Sequence, residues 1–356
     1  MDSARNAQAT EAEGEQASLP PSTEIGDLGV MHLKRLWARS ALQRLPGGQQ
    51  PKLDNEFTLD RIALYGLGLG LPESLRAMAD GASFAAFERW ILSVNDGAID
   101  PDTIVRINDA VLRLGGAPGD PDLLPAMPDA VFGPDDLARW QRDGYIVLPD
   151  AVDAATRDAV ERAIWQSLGA RRDDPAGWYD GPHGHSIWLQ LIHHEALRAV
   201  RRSGRIRAAF AQLWGTNDLW ATADRAGFNP PEQPGWRFPG PHLHWDSSIA
   251  LPMPLGLQGI LYLTDTAAEQ GAFTCVPGFH HRLERWLADL PPGAEPRQLD
   301  RDLVDAAVAI AGQAGDLVIW HHALPHGSRP NRTARPRLVQ YISMFPTTQR
   351  DDRPWL

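Results

Sequence analysis

The second half of the chain is divided into short apolar runs by Gly and Pro, and this pattern restricts the fold more than any other feature of the sequence. Runs of this length fit strands better than helices, and the turn residues between them favour antiparallel neighbours joined by short connections. We therefore predict an antiparallel sandwich or barrel. Its strands come from DLWATAD (218–224), LHWDSSIAL (243–251), LQGILYLT (257–264), AFTCV (272–276), VAIAG (308–312), DLVIW (316–320) and RLVQYISMF (337–345).

The first part of the chain has a different character. Residues 1–28 are polar and without periodicity, which predicts a disordered tail. Residues 29–114 show apolar positions at helical spacing, which predicts a helical N-terminal region, and residues 115–134 are rich in Pro and Gly, which is typical of a linker. We expect residues 135–350 to form the β-rich domain.

Two local patterns add detail. YGLGLGLP (65–72) carries three glycines, but the spacing does not fit a dinucleotide-binding loop and no strand-like run precedes it, so we predict a turn between helices. YIVL (145–148) predicts a strand, and an amphipathic helix is expected to begin near Asp153.

Charge and composition exclude several classes of function. The net charge of −11 argues against a nucleic-acid partner and is a poor match to an anionic membrane surface. The single cysteine, Cys275, provides no disulfide framework, and the N-terminus lacks the features of a signal peptide, so a cytoplasmic location is expected. No apolar run is long enough for a spanning helix, and 13 tryptophans suit a pocket for a small organic molecule.

The stretch PHLHWDSS (241–248) alternates two histidines and an aspartate, His242, His244 and Asp246. It fits a polar patch on a sheet, a cupin-like metal site without the usual following glutamate, or a 2-His-1-carboxylate triad that takes a distant histidine as its third ligand. The triad interpretation requires a later histidine followed by a cation that could pair with a dicarboxylate co-substrate. HGSRPNRTARPRL (326–338) contains both.

The order of these motifs resembles the phytanoyl-CoA dioxygenase family of Fe(II)- and 2-oxoglutarate-dependent oxygenases. The likeness extends from about Leu137 to Pro346, includes RDGYIVLPDAVD as the first strand, and leaves the region before residue 130 uncovered. The family features are an H-x-D motif, a G-x-x-x-x-x-P-G-x-H turn and an H-G-S-x-x-N motif with an arginine eleven residues after its histidine. They match His244 and Asp246; Gly271, Pro277, Gly278 and His280; and His326, Gly327, Ser328, Asn331 and Arg337.

The resemblance implies an α+β fold with a double-stranded β-helix core of the jelly-roll, cupin-like type, flanking helices and a helical N-terminal extension. It also implies that His244, Asp246 and His326 bind Fe(II), and that Arg337 and Ser328 bind the co-substrate 2-oxoglutarate. With O2, such an enzyme hydroxylates an unactivated C–H bond of a small organic substrate and releases succinate and CO2. Arg335 is a rival for the carboxylate, because it is expected to point the same way as Arg337 on a strand.

Further contacts are expected around this centre. Alternation along LQGILYLT places Gln258 and Tyr262 on the face toward the barrel mouth, with Tyr262 a further co-substrate contact and Gln258 a substrate contact. His242 is expected to share the face of the two ligands just outside them, and His321 and His322 to serve packing or support. Four other substrate contacts are predicted, namely Arg225, Asn229, His185 and Trp188.

Two other classes of function remain open. One is a non-catalytic sensor module that binds a dicarboxylate and iron, and the other is a cupin-type metalloenzyme that does not depend on 2-oxoglutarate. The substrate classes compatible with the family are acyl thioesters, amino acids and natural-product intermediates, and the same chemistry performs desaturation or cyclisation. Nothing in the sequence indicates an oligomeric state.

Overall fold

The computed structural model describes residues 19–43, 53–81, 83–181, 186–351 and 353–356. The described residues form eleven helices: α1 (Leu33–Leu42), α2 (Glu56–Gly66), α3 (Leu71–Asp80), α4 (Phe84–Val94), α5 (Pro101–Leu114), α6 (Pro134–Asp143), α7 (Ala154–Leu168), α8 (Glu195–Arg201), α9 (Gly204–Trp214), α10 (Leu283–Ala288) and α11 (Arg301–Asp305). They also form eleven strands: β1 (Tyr145–Leu148), β2 (Trp188–Leu189), β3 (Leu219–Ala221), β4 (Ala226–Asn229), β5 (Leu257–Tyr262), β6 (Thr274–Cys275), β7 (Val308–Ala309), β8 (Leu317–His321), β9 (His326–Gly327), β10 (Arg337–Tyr341) and β11 (Met344–Pro346).

The strands form two facing sheets and a short ribbon, and every pairing is antiparallel. The larger sheet has the order β1-β8-β5-β10-β4-β2, the smaller one the order β7-β6-β9, and β3 pairs with β11. The pairings join segments far apart in sequence, as when β1 pairs with β8. This is the predicted double-stranded β-helix with flanking helices.

The two faces of the larger sheet support two separate cores. Leu257, Leu261 and Leu263 pack on one side with residues of α7, α8 and α9. Ile260 and Tyr262 alternate with them and pack between the two sheets, together with residues of β6, β8 and β10. Because side chains alternate along a strand, β5 contributes to both layers, and its inward face is the one that reaches the functional site.

One predicted strand, LHWDSSIAL (243–251), is wrong. His244 alone in this segment forms a backbone bridge, with His326. The Arg297 guanidinium donates to the carbonyl oxygens of Trp245 and Ser247 at 2.9 and 2.7 Å. These carbonyls are therefore satisfied by a side chain, so the segment needs no neighbouring strand.

The N-terminal helices pack on the ribbon formed by β3 and β11. Trp220 of β3 and Phe345 of β11 are buried in one cluster with apolar residues of α1 to α5. Of the tail predicted to be disordered, residues 1–18 lie outside the described residues, but residues 19–28 lie against the helices. The Leu28 backbone N–H donates to Glu88 Oε1 of α4 at 3.0 Å, which gives this part of the chain a fixed partner.

Several local predictions are confirmed. YIVL forms β1, and YGLGLGLP joins α2 to α3 with Gly68 at φ +68°. Helix α7 begins after Asp153, whose carboxylate accepts from the Thr156 backbone N–H at 2.7 Å, and it ends at Gly169 in the left-handed region. None of the helices in the described part of the chain has the length and apolar character needed to cross a bilayer.

The contact between the helical region and the β3–β11 ribbon should be a major contribution to stability. We expect Trp220→Ala to lower the free energy of unfolding by about 3–5 kcal/mol, because it empties a buried site and removes a hydrogen bond from the indole to Thr347. Urea unfolding measures the change. Trp355→Ala, at a site that is 69% exposed, is the matched control and should change the value by less than about 1 kcal/mol. Equal effects of the two substitutions would contradict this packing.

Candidate metal centre and adjoining cavity

His244, Asp246 and His326 form a compact group of potential metal ligands, with one ligand atom from each side chain lying within 4.8 Å of the others. His244 Nε2 is 3.0 Å from Asp246 Oδ1, and His326 Nε2 is 3.2 Å from Asp246 Oδ2. Two imidazoles and one carboxylate on the same side of an ion form the donor set of a facial triad, which suits Fe(II) and leaves positions open for other ligands.

Backbone pairing brings the two histidines together. The His244 N–H donates to the His326 carbonyl at 2.8 Å, and the His326 N–H donates back to His244 at 2.9 Å. Through this pairing, His244 lies beside β9 and extends the smaller sheet on that side. The 81 residues between the histidines are therefore closed into a loop by two main-chain hydrogen bonds.

Further hydrogen bonds orient the imidazole rings. His244 Nδ1 lies 2.7 Å from the His242 carbonyl oxygen, and His326 Nδ1 lies 3.0 Å from the Leu324 carbonyl oxygen. A carbonyl oxygen can only accept, so each Nδ1 carries a proton and donates it. This leaves both Nε2 atoms available as ligands, directed toward Asp246.

Electrostatics favour an ionised carboxylate at the centre. Burial raises the pKa of the Asp246 carboxyl, but the hydrogen bonds that His244 and His326 donate to it when their Nε2 atoms carry protons outweigh this effect and lower that pKa well below its usual range. Burial also disfavours the protonated form of His244, yet its hydrogen bond to Asp246 raises the pKa of this imidazole above the usual value. The Gln258 side-chain amide donates to Asp246 Oδ2 at 2.7 Å and helps to hold the carboxylate in place.

A buried arginine lies close to this group. Arg337 is fully buried, and its Nη1 donates to the Gly271 carbonyl oxygen at 2.6 Å and to Ser328 Oγ at 2.9 Å. Its Nε and Nη2 have no hydrogen-bond partner among the described residues. A buried guanidinium with two free donors requires an anion, and the distal carboxylate of a dicarboxylate fits that requirement.

Arg335, the rival of Arg337 for binding the carboxylate, lies elsewhere. Arg335 is exposed in the turn before β10 and lines a different, outward-facing groove. The strand begins only at Arg337, so the alternation that would have aligned the two arginines does not extend back to Arg335. Asn331 stabilises this turn by donating to the carbonyl oxygens of Asn229 and Arg335.

A cavity of about 500 Å³ opens beside the three candidate ligands. Four of the predicted residues lie on its wall: Ser328, Gln258, Arg225 and Trp188. Ser328 connects the cavity to Arg337 behind it. Gln258 reaches the cavity from the inward face of β5, as the alternation predicts.

Two other predicted contacts lie elsewhere. The Tyr262 hydroxyl donates to the Ile310 carbonyl oxygen at 2.7 Å and accepts from the Phe273 N–H at 3.0 Å, and this tyrosine does not line the cavity. Asn229 is fully buried and donates to the Arg329 carbonyl oxygen at 3.1 Å, in register with Arg337. Both side chains hold main-chain segments together, because each is used by backbone groups of a neighbouring loop.

The remaining predicted histidines have mixed outcomes. His185 lies outside the described residues. His242 does not share the face of the ligands, because its ring packs edge-on against Phe238 and lines a different cavity. His322 is held by the Pro254 carbonyl oxygen, and burial lowers its pKa to about 4, as expected for a neutral packing residue.

The cavity residues that were not identified from the sequence include Tyr65, Asp224 and Tyr341. Tyr341 has a detectable signal, since it lies four residues after Arg337 on the same strand and therefore on the same face. Its buried hydroxyl has no hydrogen-bond partner among the described residues. Asp224 and Tyr65 carry no such signal, because they reach the cavity from other elements.

A second group of ligand-type side chains is an ion-pair network. His32, Glu56 and Asp60 lie close together between α1 and α2. Arg35 and Arg39 contact Glu56 at 2.8 and 2.5 Å, and Arg39 also pairs with Asp60. The carboxylates are thus already neutralised by guanidinium groups, which makes this cluster a link between two helices and a poor competitor for a cation.

Metal binding at His244, Asp246 and His326 should weaken as the pH falls. A metal ligand must be a neutral imidazole, and the raised pKa of His244 means that protons compete with the metal already above its usual titration range. We expect the Kd for Mn²⁺ to rise by about tenfold for each pH unit below that pKa, as measured by calorimetry between about pH 8 and about pH 5. Asp246→Asn should weaken binding at each pH, whereas Asp289→Asn, at an exposed position just after α10, should not. An affinity that does not change with pH would contradict this arrangement.

Comparisons with known proteins find relatives of this chain in sequence and in fold. A putative phytanoyl-CoA dioxygenase from Dictyostelium discoideum is 32% identical over 98 residues, which cover 26% of this chain and 28% of that protein. The ectoine dioxygenase of Halomonas elongata is 24% identical over 238 residues, which cover 61% of this chain and 70% of that protein. The matched segment spans less than a third of the Dictyostelium protein and more than two thirds of the Halomonas one.

Solved structures with similar topology include the epimerase SnoN in complex with Fe³⁺, alpha ketoglutarate and nogalamycin RO, at a TM-score of 0.44 and 21% identity, covering 60% of this chain and 82% of that one. EctD from S. alaskensis with 2-oxoglutarate and 5-hydroxyectoine has a TM-score of 0.45 and 20% identity, covering 65% of this chain and 85% of that one. The family model Phytanoyl-CoA dioxygenase (PhyH) matches residues 140–339, more than half of the chain. This chain therefore belongs to the phytanoyl-CoA dioxygenase family of Fe(II)- and 2-oxoglutarate-dependent dioxygenases.

Proposed function

We propose that this enzyme hydroxylates an unactivated C–H bond of a small organic substrate. In the overall reaction, one oxygen atom of O2 enters the C–H bond of the substrate, and the other enters succinate as 2-oxoglutarate loses CO2. The observation that carries the proposal is the position of the three ligand side chains on the wall of a cavity that also contains Ser328, whose hydroxyl accepts a hydrogen bond from buried Arg337.

The residues present suit both groups. His244, Asp246 and His326 would hold the iron, since they supply two neutral imidazoles and one ionised carboxylate. Arg337 and Ser328 would hold the distal carboxylate of 2-oxoglutarate through charge-assisted hydrogen bonds. When bound, the iron supplies the activation of O2 that protein side chains alone cannot provide.

The protein side chains position the reactants. Gln258 holds the Asp246 carboxylate, so the geometry of the ligand group is set before any substrate enters. Tyr341 and Ser328 add hydroxyl groups to the cavity wall, while Phe273 and Trp320 supply apolar surface next to His326. This combination favours a substrate with an apolar carbon skeleton and a few hydrogen-bonding groups.

Several features of the predicted oxygenase domain, residues 135–350, favour hydroxylation of a substrate. Asp246 occupies the carboxylate position that related halogenating oxygenases leave to a small residue. The cavity of about 500 Å³ is large enough for a small molecule. Ectoine dioxygenases are among the relatives, which supports a compact organic substrate over a macromolecular one.

Succinate production tests the proposal directly. The purified chain with Fe(II), 2-oxoglutarate and a library of small molecules should form succinate when air is admitted, in proportion to the substrate consumed. A sensor module would form none with any member of the library. Succinate without a hydroxylated product, or with a desaturated or cyclised one, would contradict hydroxylation while preserving the family chemistry.

The role of Arg337 has its own test. Arg337→Gln should raise the half-saturating concentration of 2-oxoglutarate by about a hundredfold, because it removes a charge-assisted pair with the distal carboxylate. Arg335→Gln is the matched control, since this exposed side chain lies outside the cavity, and it should leave the value unchanged. Steady-state succinate formation at varied 2-oxoglutarate measures both. An enzyme of the cupin type, independent of 2-oxoglutarate, would not respond to either change.

A further inference from the structure

Helix α2 of the N-terminal region presents one of its faces to the functional site. Phe57, Arg61 and Tyr65 are spaced four residues apart, so they lie along one side of the helix. Tyr65 lines the cavity beside the metal ligands, and Phe57 and Arg61 line an adjoining cavity of about 430 Å³. The two cavities share wall residues: Asp224, Asp246, Gln258 and Ser343.

This face of α2 is held firmly in position. Thr58 Oγ1 donates to the Gln349 carbonyl oxygen at 2.6 Å, and Arg61 Nη1 donates to the Gln349 side chain at 3.1 Å. The Arg61 guanidinium lies 3.6 Å from the centroid of the Phe345 ring, and Tyr65 meets the same ring edge-on at 5.9 Å. The helix is thus a fixed wall that runs from the exposed Phe57 inward to Tyr65.

Asp224 stands opposite this wall with its charge uncompensated by an ion pair. Its carboxylate accepts from the Arg225 backbone N–H at 2.8 Å, and it forms no salt bridge among the described residues. The Arg225 guanidinium lies instead over the Trp188 ring, 5.2 Å from its centroid, and Arg201 donates to the Asp224 main-chain carbonyl. Burial, the largest effect, raises the pKa of the Asp224 carboxyl and the charge of Asp246 adds to it, while the backbone N–H and the charge of Arg225 and the charge of Arg201 oppose this rise.

We propose that α2 forms one wall of the passage to the metal centre, and that Asp224 and Tyr65 bind a protonated nitrogen of the substrate. Asp224 is half-buried on the cavity wall and forms no salt bridge among the described residues, so a cationic ligand supplies the close ion pair that the protein does not. The Tyr65 phenol adds an acceptor oxygen and an aromatic face, both of which attract ammonium groups. The substrate class is a small organic amine, and this inference rests on the proposed oxygenase function.

The position of α2 makes this a specificity device of this particular chain. The helix lies outside residues 140–339, the segment that matches the family. Asp224 and Tyr65 line the same cavity as His244 and His326. A nitrogen held between them therefore places the neighbouring carbon skeleton of the substrate beside the metal ligands.

A matched panel of compounds tests the substrate class. The enzyme is loaded with Fe(II) and 2-oxoglutarate and supplied with primary amines, their N-acetyl derivatives, and the alcohols and carboxylic acids with the same carbon skeletons. We expect amines alone to raise succinate formation above the level without added compound. Stimulation by the neutral or acidic compounds and not by the amines would overturn the inference, as would a panel in which no amine stimulates.

Conservative substitutions test the two residues. Asp224→Asn should raise the half-saturating concentration of a stimulating amine by about tenfold to a hundredfold, and Tyr65→Phe by about fivefold, with smaller effects on the maximal rate. Asp289→Asn just after α10 and Tyr145→Phe on β1 are matched controls outside the cavity and should leave the value unchanged. Unchanged half-saturation in Asp224→Asn would overturn the assignment, and Asp224→Glu, which keeps the charge, should restore binding in part.

The outcomes also separate this inference from the proposed function. If the wild-type chain forms no succinate with any compound while it binds metal and 2-oxoglutarate, the oxygenase proposal fails. If it forms succinate with a neutral compound and with no amine, the oxygenase proposal stands and the amine assignment alone is wrong. Tryptophan fluorescence titration with the amine gives a binding constant for variants whose turnover is too slow to measure.

Discussion

Two main-chain hydrogen bonds between His244 and His326 are the interaction on which the functional site depends. They close a loop of 81 residues and set the spacing of two imidazoles, and the carboxylate of Asp246 then lies within reach of both rings. Everything else in the site supports this pair. The carbonyl groups of His242 and Leu324 set the ring tautomers, and the rest of the barrel holds the two backbones in register.

The distribution of buried charge follows from the same geometry. At the outer end of the cavity, Asp246 is stabilised as an anion by two histidines and Gln258, which prepares the position for a cation. Behind Ser328 of the cavity wall, Arg337 is buried with two donors that have no partner among the described residues, which prepares the position for an anion. Keeping two such complementary charges in place for ligands lowers the free energy of unfolding. This is expected where function conflicts with stability.

The helical N-terminal region is part of this arrangement. It packs on the β3–β11 ribbon through Trp220 and Phe345, and Phe345 also supports Arg61 and Tyr65 of α2. The same contacts that attach the helices to the barrel therefore fix the wall of the cavity. Stability of this interface and access to the metal centre are coupled through one aromatic residue.

The sequence by itself determined the local elements and the chemical types at the site. Turn residues and apolar runs located most strands, and the order of the motifs identified His244, Asp246, His326 and Arg337, because the spacing of side chains along a strand and the residue types a ligand requires are local properties. It also favoured Arg337 over Arg335, from the family spacing and from the strand that follows Pro336.

Tertiary structure alone decided the neighbours of these groups. Arg297 satisfies the carbonyls of the segment predicted as a strand, Tyr262 and Asn229 serve backbone groups of adjacent loops, and His242 turns toward Phe238. Tyr65 reaches the cavity from a helix about 180 residues before the first metal ligand. Such contacts depend on how separate elements pack against each other, and the residues involved have no fixed spacing along the chain that a sequence pattern could reveal.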